Sequence, residues 1–561
     1  MIAPTPKQVE IRDHPGLGLL VVAPAGCGKT EALALRIQGL IARGDVVAPR
    51  RILVTTFSNR ARDGIRERLS AYLTPNVIRD RLSIANFHGV AARLFRAHAR
   101  TIGLDPEMVM PEGNWVLEQC REGNLSFQES SAVQRILQQT KLEKLSDSEV
   151  MERLTQLGNR KAIEYEKRRL SENRLTYDDL LRSAELILAN DEVAELYRQH
   201  FGAVVVDEFQ DLTPQQLRVV NRIGFGRTTF AGDLAQGIYG FTGAKPAEVD
   251  AAIRSETSTE IRFAESHRSS PVVLTMVNSL DELTGGDELS CADPDSWPSG
   301  GLAGAVGFMT AEQEGRWAAA TAVAILSRAP RQRVGIIART GPRRRFADSA
   351  VAQYNDYQSF RWDDGVMDTD TARLLKAMLK TIDSTRVLEA DNPIEYLREA
   401  ITFDAIPEPR TRESVHDALG WTLDLLNDGE TPAAIRMRIV IGDTGTLLTA
   451  PGIHLLTGHV GKGQQFDWVI VVGADEGTVP DFRAESQAEL LEEARVLSVM
   501  ISRARHGVIV TNALAVPAAN GRVFNRDPSR FLRYLQVANP LDAPAIVRWI
   551  DDADWAAISN R

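Results

Sequence analysis

Short apolar runs alternate with amphipathic stretches over the first hundred positions. LLVVA (residues 19–23), ILVTTF (52–57) and LSIANF (82–87) read as strands. The intervening stretches, to Ile41 and through Leu69, carry helical periodicity. Strand and helix in alternation predict a parallel, doubly wound sheet. From about 98 to 200 the pattern changes to long, charged, helical segments. Ser146 and Glu149 are spaced as a capping box ahead of Val150, Leu154 and Leu157, which share one helix face. Strand signal returns at AVVVD (203–207) and TTFAGD (228–233). After a Gly/Pro/Ser/Asp-rich loop from Gly285 to Gly301 come VGFM, VGIIA, IHLLT, WVIVV and GVIV. A helical stretch at about 366–450 interrupts this second α/β half.

The chain has 561 residues, too many for one core, so several domains are expected. No apolar run is long enough for a membrane span, and the N-terminus lacks a secretory pattern. Cys27, Cys120 and Cys291 offer neither a disulfide framework nor a metal spacing, which suits a reducing cytoplasm. Cys27 falls inside a glycine loop, where its thiol is expected to be open to oxidation. The net charge of −10 excludes a protein that coats nucleic acid through global charge but permits a local basic groove. Arg343–Arg345 and Arg60, Arg62, Arg66 and Arg68 are the local basic clusters, readable as solvated helix faces.

The chemistry concentrates in two places. Ala23-Pro24-Ala25-Gly26-Cys27-Gly28 follows a buried strand, and Lys29-Thr30 opens a helix. The glycines let backbone N–H groups turn inward, and the helix N-terminus favours an anion. Lys29 can reach β/γ-phosphates and Thr30 can hold Mg²⁺. Ala23 stands where the usual pattern has its first glycine. Asp207-Glu208 ends an apolar strand, at the edge where such sheets bind ligands. Asp207 suits Mg²⁺ beside Thr30, and Glu208 suits orienting or deprotonating an attacking water. Aromatic side chains follow strand ends at Phe57, Tyr239 and Phe241, and at Phe87 beside His88. Such rings can stack on bases without reading sequence.

DEFQD (207–211), AGDLAQGIYGFTGA (231–244), TTFSNRARDGIRERL, NFHG, ESHRSS, LLTGHVGKGQQFDWVIVVGADEGTVP and EEARVLSVMISRARH occur in an order that resembles the superfamily 1 helicases of the UvrD/Rep/PcrA type. The resemblance implies an α/β fold of two RecA-like parallel-sheet P-loop NTPase domains, each with a mainly helical insertion. On that template, 1–97 and 201–255 form the first domain around an insertion at 98–200. Residues 256–365 and 451–561 form the second around a short insertion at 366–450. It also implies ATP and Mg²⁺ in the cleft and 3′→5′ movement on single-stranded or 3′-tailed DNA. Gln8 would read adenine, Gln236 would sense the γ-phosphate, and Arg268 and Arg503 would be arginine fingers. Phe57, Asn59 and Phe241 would contact DNA, with His459 and Lys462 lining the second half of the track. Tyr177-Asp178-Asp179 matches a further element of open role.

Departures fall on base recognition and coupling: Glu31 after the loop threonine, His267 before Arg268, Thr242 after Phe241, and Gln465 in the fifth motif. The short second insertion predicts a translocase whose unwinding is weak alone or needs a partner. Compact chains of this shape also resemble the helicase subunit of the Gabija anti-phage system, which works with a separate nuclease, so roles in repair or anti-phage defence are both open. The other reading is a DNA-end or nucleotide sensor whose ATPase switches its shape for a nuclease. A phosphotransferase would need neither the Gln236–Tyr239 element nor a second α/β half.

Overall fold

The computed structural model describes residues 4–561 apart from 58, 112–113, 124, 368, 391, 407–408, 428, 442–448, 461 and 519–521. The N-terminal lobe is built on six strands, β1 (Leu19–Val22), β2 (Arg51–Thr56), β3 (Leu82–Asn86), β4 (Phe201–Asp207), β5 (Thr228–Gly232) and β6 (Glu260–Arg262), in the order β3-β2-β4-β5-β1-β6. Every pairing is parallel. β1 and β4 are buried along their whole length because helices cover both faces. One face packs on the helices Phe87–His98, Tyr177–Ala189 and Pro214–Gly224. The other packs on the helix that follows β1. The sheet runs past residue 255, where a domain boundary was expected. β6 pairs with β1 through Leu20↔Glu260 to Val22↔Arg262. Three residues flanked by charge leave too short an apolar signal to read.

The C-terminal lobe carries β7 (Leu302–Thr310), β8 (Arg333–Ala338), β9 (Ser359–Arg361), β10 (Gly452–Thr457), β11 (Phe466–Val472), β12 (Ala504–Pro517) and β13 (Val523–Asn525). The order is β9-β10-β8-β11-β12, with β7 also on β12, all parallel. Only β13 is antiparallel, on the far end of β12.

Each lobe is interrupted by helices with a core of their own. In the first interruption Trp115, Leu137, Val150 and Leu154 pack together. The Ser146–Glu149 capping box is formed, whereas Leu157 is exposed, because Gly158 ends that helix before its face can be covered. Beneath lies a buried ionic cluster. Lys141 Nζ meets Glu166 (2.8 Å) and Asp179 (2.9 Å), Arg169 meets Glu166 (2.6 Å), and Arg182 meets Asp179 (3.0 Å). Asp147 completes it from the helix N-terminus, accepting from both arginines. Of the Tyr177-Asp178-Asp179 element, Asp179 belongs to this cluster. Asp179 is the N3 residue of a capping box with Thr176 and the hub of three cations. In the second interruption the helices Thr369–Met378, Pro393–Ala400 and Pro409–Asn427 share a core. It touches the first through Arg121–Asp424 and a His416–Glu118 contact of 3.1 Å.

The Arg343–Arg345 cluster is not a solvated face. Arg343 is buried against Glu314 and Asp475, Arg344 pairs with Asp348 and Asp363, and Arg345 donates to the Pro517 carbonyl. Asp348 lies one turn along the same helix, but Glu314, Asp475 and Asp363 come from outside it.

Candidate active site and nucleic-acid interface

The loop Ala23–Gly28 joins β1 to α2 (Lys29–Ala42), packed beside α1 (Pro6–Asp13). Ala23 N donates to Gly232 O at 2.9 Å, tying the loop to β5. Gly26 (φ 86°) and Gly28 (φ 83°) lie in the left-handed region. A Cβ on Gly26 would stand 2.6 Å from Arg268 Cβ and Ser266 Oγ, and one on Gly28 would stand 2.7 Å from Gln8 Nε2. Glycine is therefore required at Gly26 by conformation and by space, and at Gly28 by conformation, since the Gln8 amide could swing aside. Cys27 is fully buried, and burial, reinforced by Asp233, pushes its thiol up to about 12. The expected open thiol is thus a protonated core group, since the loop turns it away from solvent.

Lys29 Nζ lies 3.0 Å from Asp207 Oδ1 and 2.5 Å from Glu208 Oε1. Burial works against its charge, but the two carboxylates overcome that and raise its pKa. Burial likewise opposes ionisation of Glu208, yet Lys29 and then Lys462 bring it down to about 2. For Asp207 burial wins, and its pKa is raised. Glu208 adopts a left-handed backbone (φ 58°), unusual for a non-glycine and a mark of local strain at the strand end. Gln210 Nε2 donates to Glu208 Oε2 at 2.6 Å while its Oε1 accepts from Asp233 N at 3.0 Å. Gln210 is thus the residue that holds the carboxylate, and the motif gave no signal for that role. Thr30 stands next to Lys29 in the first turn of α2. Its hydroxyl and Asp207 are hard oxygen donors of the kind Mg²⁺ takes.

Gln8 is buried beside the loop. Its Oε1 accepts from Thr5 N (2.9 Å) and its Nε2 points to Gly28 O (3.4 Å), so its amide closes a capping box. Glu31 pairs with Arg68 at 3.0 Å. Ser266–Ser270 bridges the lobes. His267 N donates to Gly26 O (3.1 Å), while Ser269 Oγ and Ser270 N donate to Ala504 O (2.7 Å) and Arg505 O (2.8 Å). Arg268, expected from the second half, is thereby carried on the junction itself.

Gln236 gathers several groups. Its Nε2 donates to Asp233 Oδ2 (2.9 Å), its carbonyl accepts from Lys462 Nζ (2.6 Å), and its Oε1 faces Arg503 Nη2 (3.5 Å). Arg503 is 2% exposed and donates to the carbonyls of Val499 (2.9 Å) and Gln464 (3.4 Å). Among the described residues no carboxylate pairs with Arg503 or Arg268. Burial lowers both pKa values, Arg503 to about 9, and each guanidinium lowers the other or is lowered by a neighbouring one. Arg503, buried, and Arg268, half-buried against Gly26 of the phosphate loop, lack an ion-pair partner among the described residues, a combination that suits a multiply charged anion.

Phe57 stacks on Tyr239 at 4.9 Å and 21°. Lys462 Nζ lies 4.8 Å above the Tyr239 ring and is bound to both Asp211 oxygens at 2.7 Å. His459 is buried. Its Nε2–H donates to Ile238 O (3.2 Å) and its Nδ1 accepts from Arg339 (3.3 Å), and burial takes it down to about 4. In this conformation His459 and Lys462 close the lobe junction rather than line an open track, because the partners that satisfy them sit on the facing lobe. Phe87 is also not a platform: at 4% exposure it lies in the core of the first lobe, as the first residue of an inward-facing helix. His88 remains half-buried, edge-on to the exposed Tyr177 at 5.2 Å. Asn59 opens the helix Asn59–Ser70 and Phe241 lies in the short turn Gly240–Thr242, but the side chains of both fall outside the described residues. Gly240 N donates to Glu492 Oε1 (2.9 Å), another lobe-to-lobe contact that no motif announced.

Comparison with known proteins bears on this arrangement. The UvrD/REP helicase N-terminal domain matches residues 5–255, and the UvrD-like helicase C-terminal domain matches residues 439–514. The ATP-dependent DNA helicase UvrD2 of Mycobacterium tuberculosis is 26% identical, covering 91% of this chain and 78% of its own length. UvrD1 of Mycobacterium bovis is 25% identical over 94% and 84%, and PcrA of Leuconostoc citreum is 28% identical over 49% and 38%.

Proposed function

The chain belongs to the UvrD-type superfamily 1 helicases, ATP-hydrolysing DNA helicases with two RecA-like domains, and from that premise we propose that it moves 3′→5′ along single-stranded DNA. The observation that carries the ATP site is the pair of guanidiniums beside the phosphate loop, Arg503 buried and Arg268 half-buried, neither in an ion pair with a carboxylate among the described residues. The loop N–H groups and Lys29 bind the phosphates. Thr30 and Asp207 would hold Mg²⁺, which would neutralise phosphate charge. Lys29 is now spent on Glu208, so phosphate arrival draws Lys29 away and frees the carboxylate to orient or deprotonate water. Gln210 keeps that carboxylate aimed. Arg268 and Arg503 stabilise charge on the transferring group, a contribution worth about 10³–10⁵ in rate. Because Arg503 rides on the second lobe, turnover is coupled to lobe position. Gln236 links it to the first lobe. Gln8 turns its amide from Thr5 to adenine.

DNA is taken across the lobe junction, where the Phe57–Tyr239 stack opens to admit bases. The small second insertion supports weak unwinding alone and action with a partner protein, a nuclease being the chemical class expected, in the cytoplasm. Test this by measuring ATPase with and without single-stranded DNA, then strand displacement from 3′- and 5′-tailed duplexes. Stimulation with displacement from the 3′-tailed substrate alone is expected. Stimulation without movement on either substrate would replace the motor by a sensor of DNA ends.

A further inference from the structure

We propose that the rear edge of the first sheet is a second nucleic-acid-binding surface, where Arg50, Arg51, Arg81 and Arg227 hold the phosphates of a single strand and Phe225 stacks on a base. This edge lies at the N-terminal ends of β2, β4 and β5, three adjacent strands, opposite the edge that carries the phosphate loop and Asp207. It is independent of the ATP site.

The four guanidiniums are knitted together through backbone carbonyls. Arg50 Nη2 and Arg227 Nη1 both donate to Arg198 O, at 2.9 and 3.2 Å. Arg81 Nε donates to Arg50 O at 3.4 Å, and Arg51 Nη2 to Arg79 O at 2.6 Å. Arg227 also caps the end of the helix Pro214–Gly224 through Ile223 O at 3.0 Å. Capping a carbonyl explains one cation at a helix end. It does not explain four side by side, none of which pairs with a carboxylate among the described residues, in a chain of net charge −10. Acids are at hand, since Arg198 holds Glu195 and Arg79 holds Asp80, both at 2.8 Å. Their ion pairs are made with the neighbours, and they reach Arg227 and Arg51 only at longer range. The crowding is felt at Arg227, whose pKa is lowered first by burial and then by Arg50 and Arg198.

Arg227 is anchored through both Nη atoms and contributes charge, whereas the exposed Arg50, anchored through Nε to Gln199 O at 3.1 Å and through Nη2, has N–H groups left over in a planar fork that matches phosphate oxygens. Beside Arg227, Phe225 is 62% exposed on the loop that Gly226 (φ 70°) turns. An exposed ring among fixed cations suits an unpaired base next to its phosphates. An acidic protein would use the cations and leave the ring wet.

The test is equilibrium binding of long and short oligothymidylates across a salt series, on the full chain. Arg50→Glu with Arg81→Glu should flatten the plot of log K against log salt for the long strand by about 0.7 per guanidinium removed. Arg50→Lys with Arg81→Lys should retain the slope. ATPase stimulated by the short strand, which the lobe junction alone accommodates, should not change in any variant, and this also reports correct folding. Phe225→Ala, a surface change that leaves every anchor intact, should weaken long-strand binding alone. Photocrosslinking to an iodouracil-substituted strand should label the peptide carrying Phe225. An unchanged salt slope in a reversal variant with normal ATPase, or labelling confined to the lobe junction, overturns the proposal. So does a reversal variant that binds DNA normally but loses an acidic protein bound by the native chain.

Discussion

Glu208 is kept ionised by Lys29 and Lys462 against its own burial, so its protonation state depends on two cations from different lobes. Glu208→Gln should cut ATP turnover by about 10²–10⁴ while nucleotide stays bound, as read by phosphate release and by filter retention of ATP. The same carboxylate links stability to pH. Its folded pKa of about 2 lies below the ordinary 4.5, so the unfolded chain binds more protons between them. Its contribution is complete above pH 4.5 and fades as pH falls toward 2. Urea unfolding across that range should show a shallower acid loss in Glu208→Gln than in the wild type. Arg503 presents the opposite balance. It is buried, uncompensated, and lowered to about 9. Arg503→Met should reduce turnover by about 10³ without lowering the melting temperature, because no carboxylate is orphaned by its removal.

At the scale of elements, the phosphate loop and the first helical interruption carry separate demands. Gly26→Ala would place a methyl 2.6 Å from Arg268 and Ser266 on a backbone that L-residues avoid. ATP binding should fall below detection by calorimetry while far-UV circular dichroism stays unchanged. The ionic cluster is a different case. Asp179→Ala would leave Lys141, Arg169 and Arg182 with one fewer acid in a dry interior. A loss of about 3–5 kcal/mol is expected in denaturant unfolding. The strands were legible because buried parallel strands are continuous apolar runs. β6 and β9 were not, since each is three residues long and owes its place to a neighbour's hydrogen bonds. Arg343 read as surface because both its acids, Glu314 and Asp475, come from outside its helix, and Arg344 because Asp348 one turn on says nothing of the burial that Asp363 completes.

Across the whole molecule, the junction is held by Lys462–Asp211, Glu492–Gly240 and His459–Ile238. Lys462 is the second cation acting on Glu208, and burial already pushes its partner Asp211 up to about 7. Lys462→Met should therefore move the acid limb of the ATPase pH profile to higher pH, measured as initial rates over a buffer series. An unmoved limb would mean that the junction does not reach the catalytic carboxylate. The candidate site was legible where one stretch supplies it: loop, Lys29, Asp207 and Glu208 are each local. The fate of Phe87, His459 and Lys462 was not, because a ring or cation at a strand end looks the same whether it faces core, partner lobe or groove.

The sequence by itself determined the two parallel sheets, the phosphate loop and the acid pair at the end of β4. Those depend on apolar runs, glycine freedom and spacing within a few residues. Only the tertiary structure decided which arginines lack a counterion, that Cys27 is sealed, and that the junction consumes His459 and Lys462. Each of these is set by burial and by partners hundreds of residues away, and no local pattern encodes such a distance.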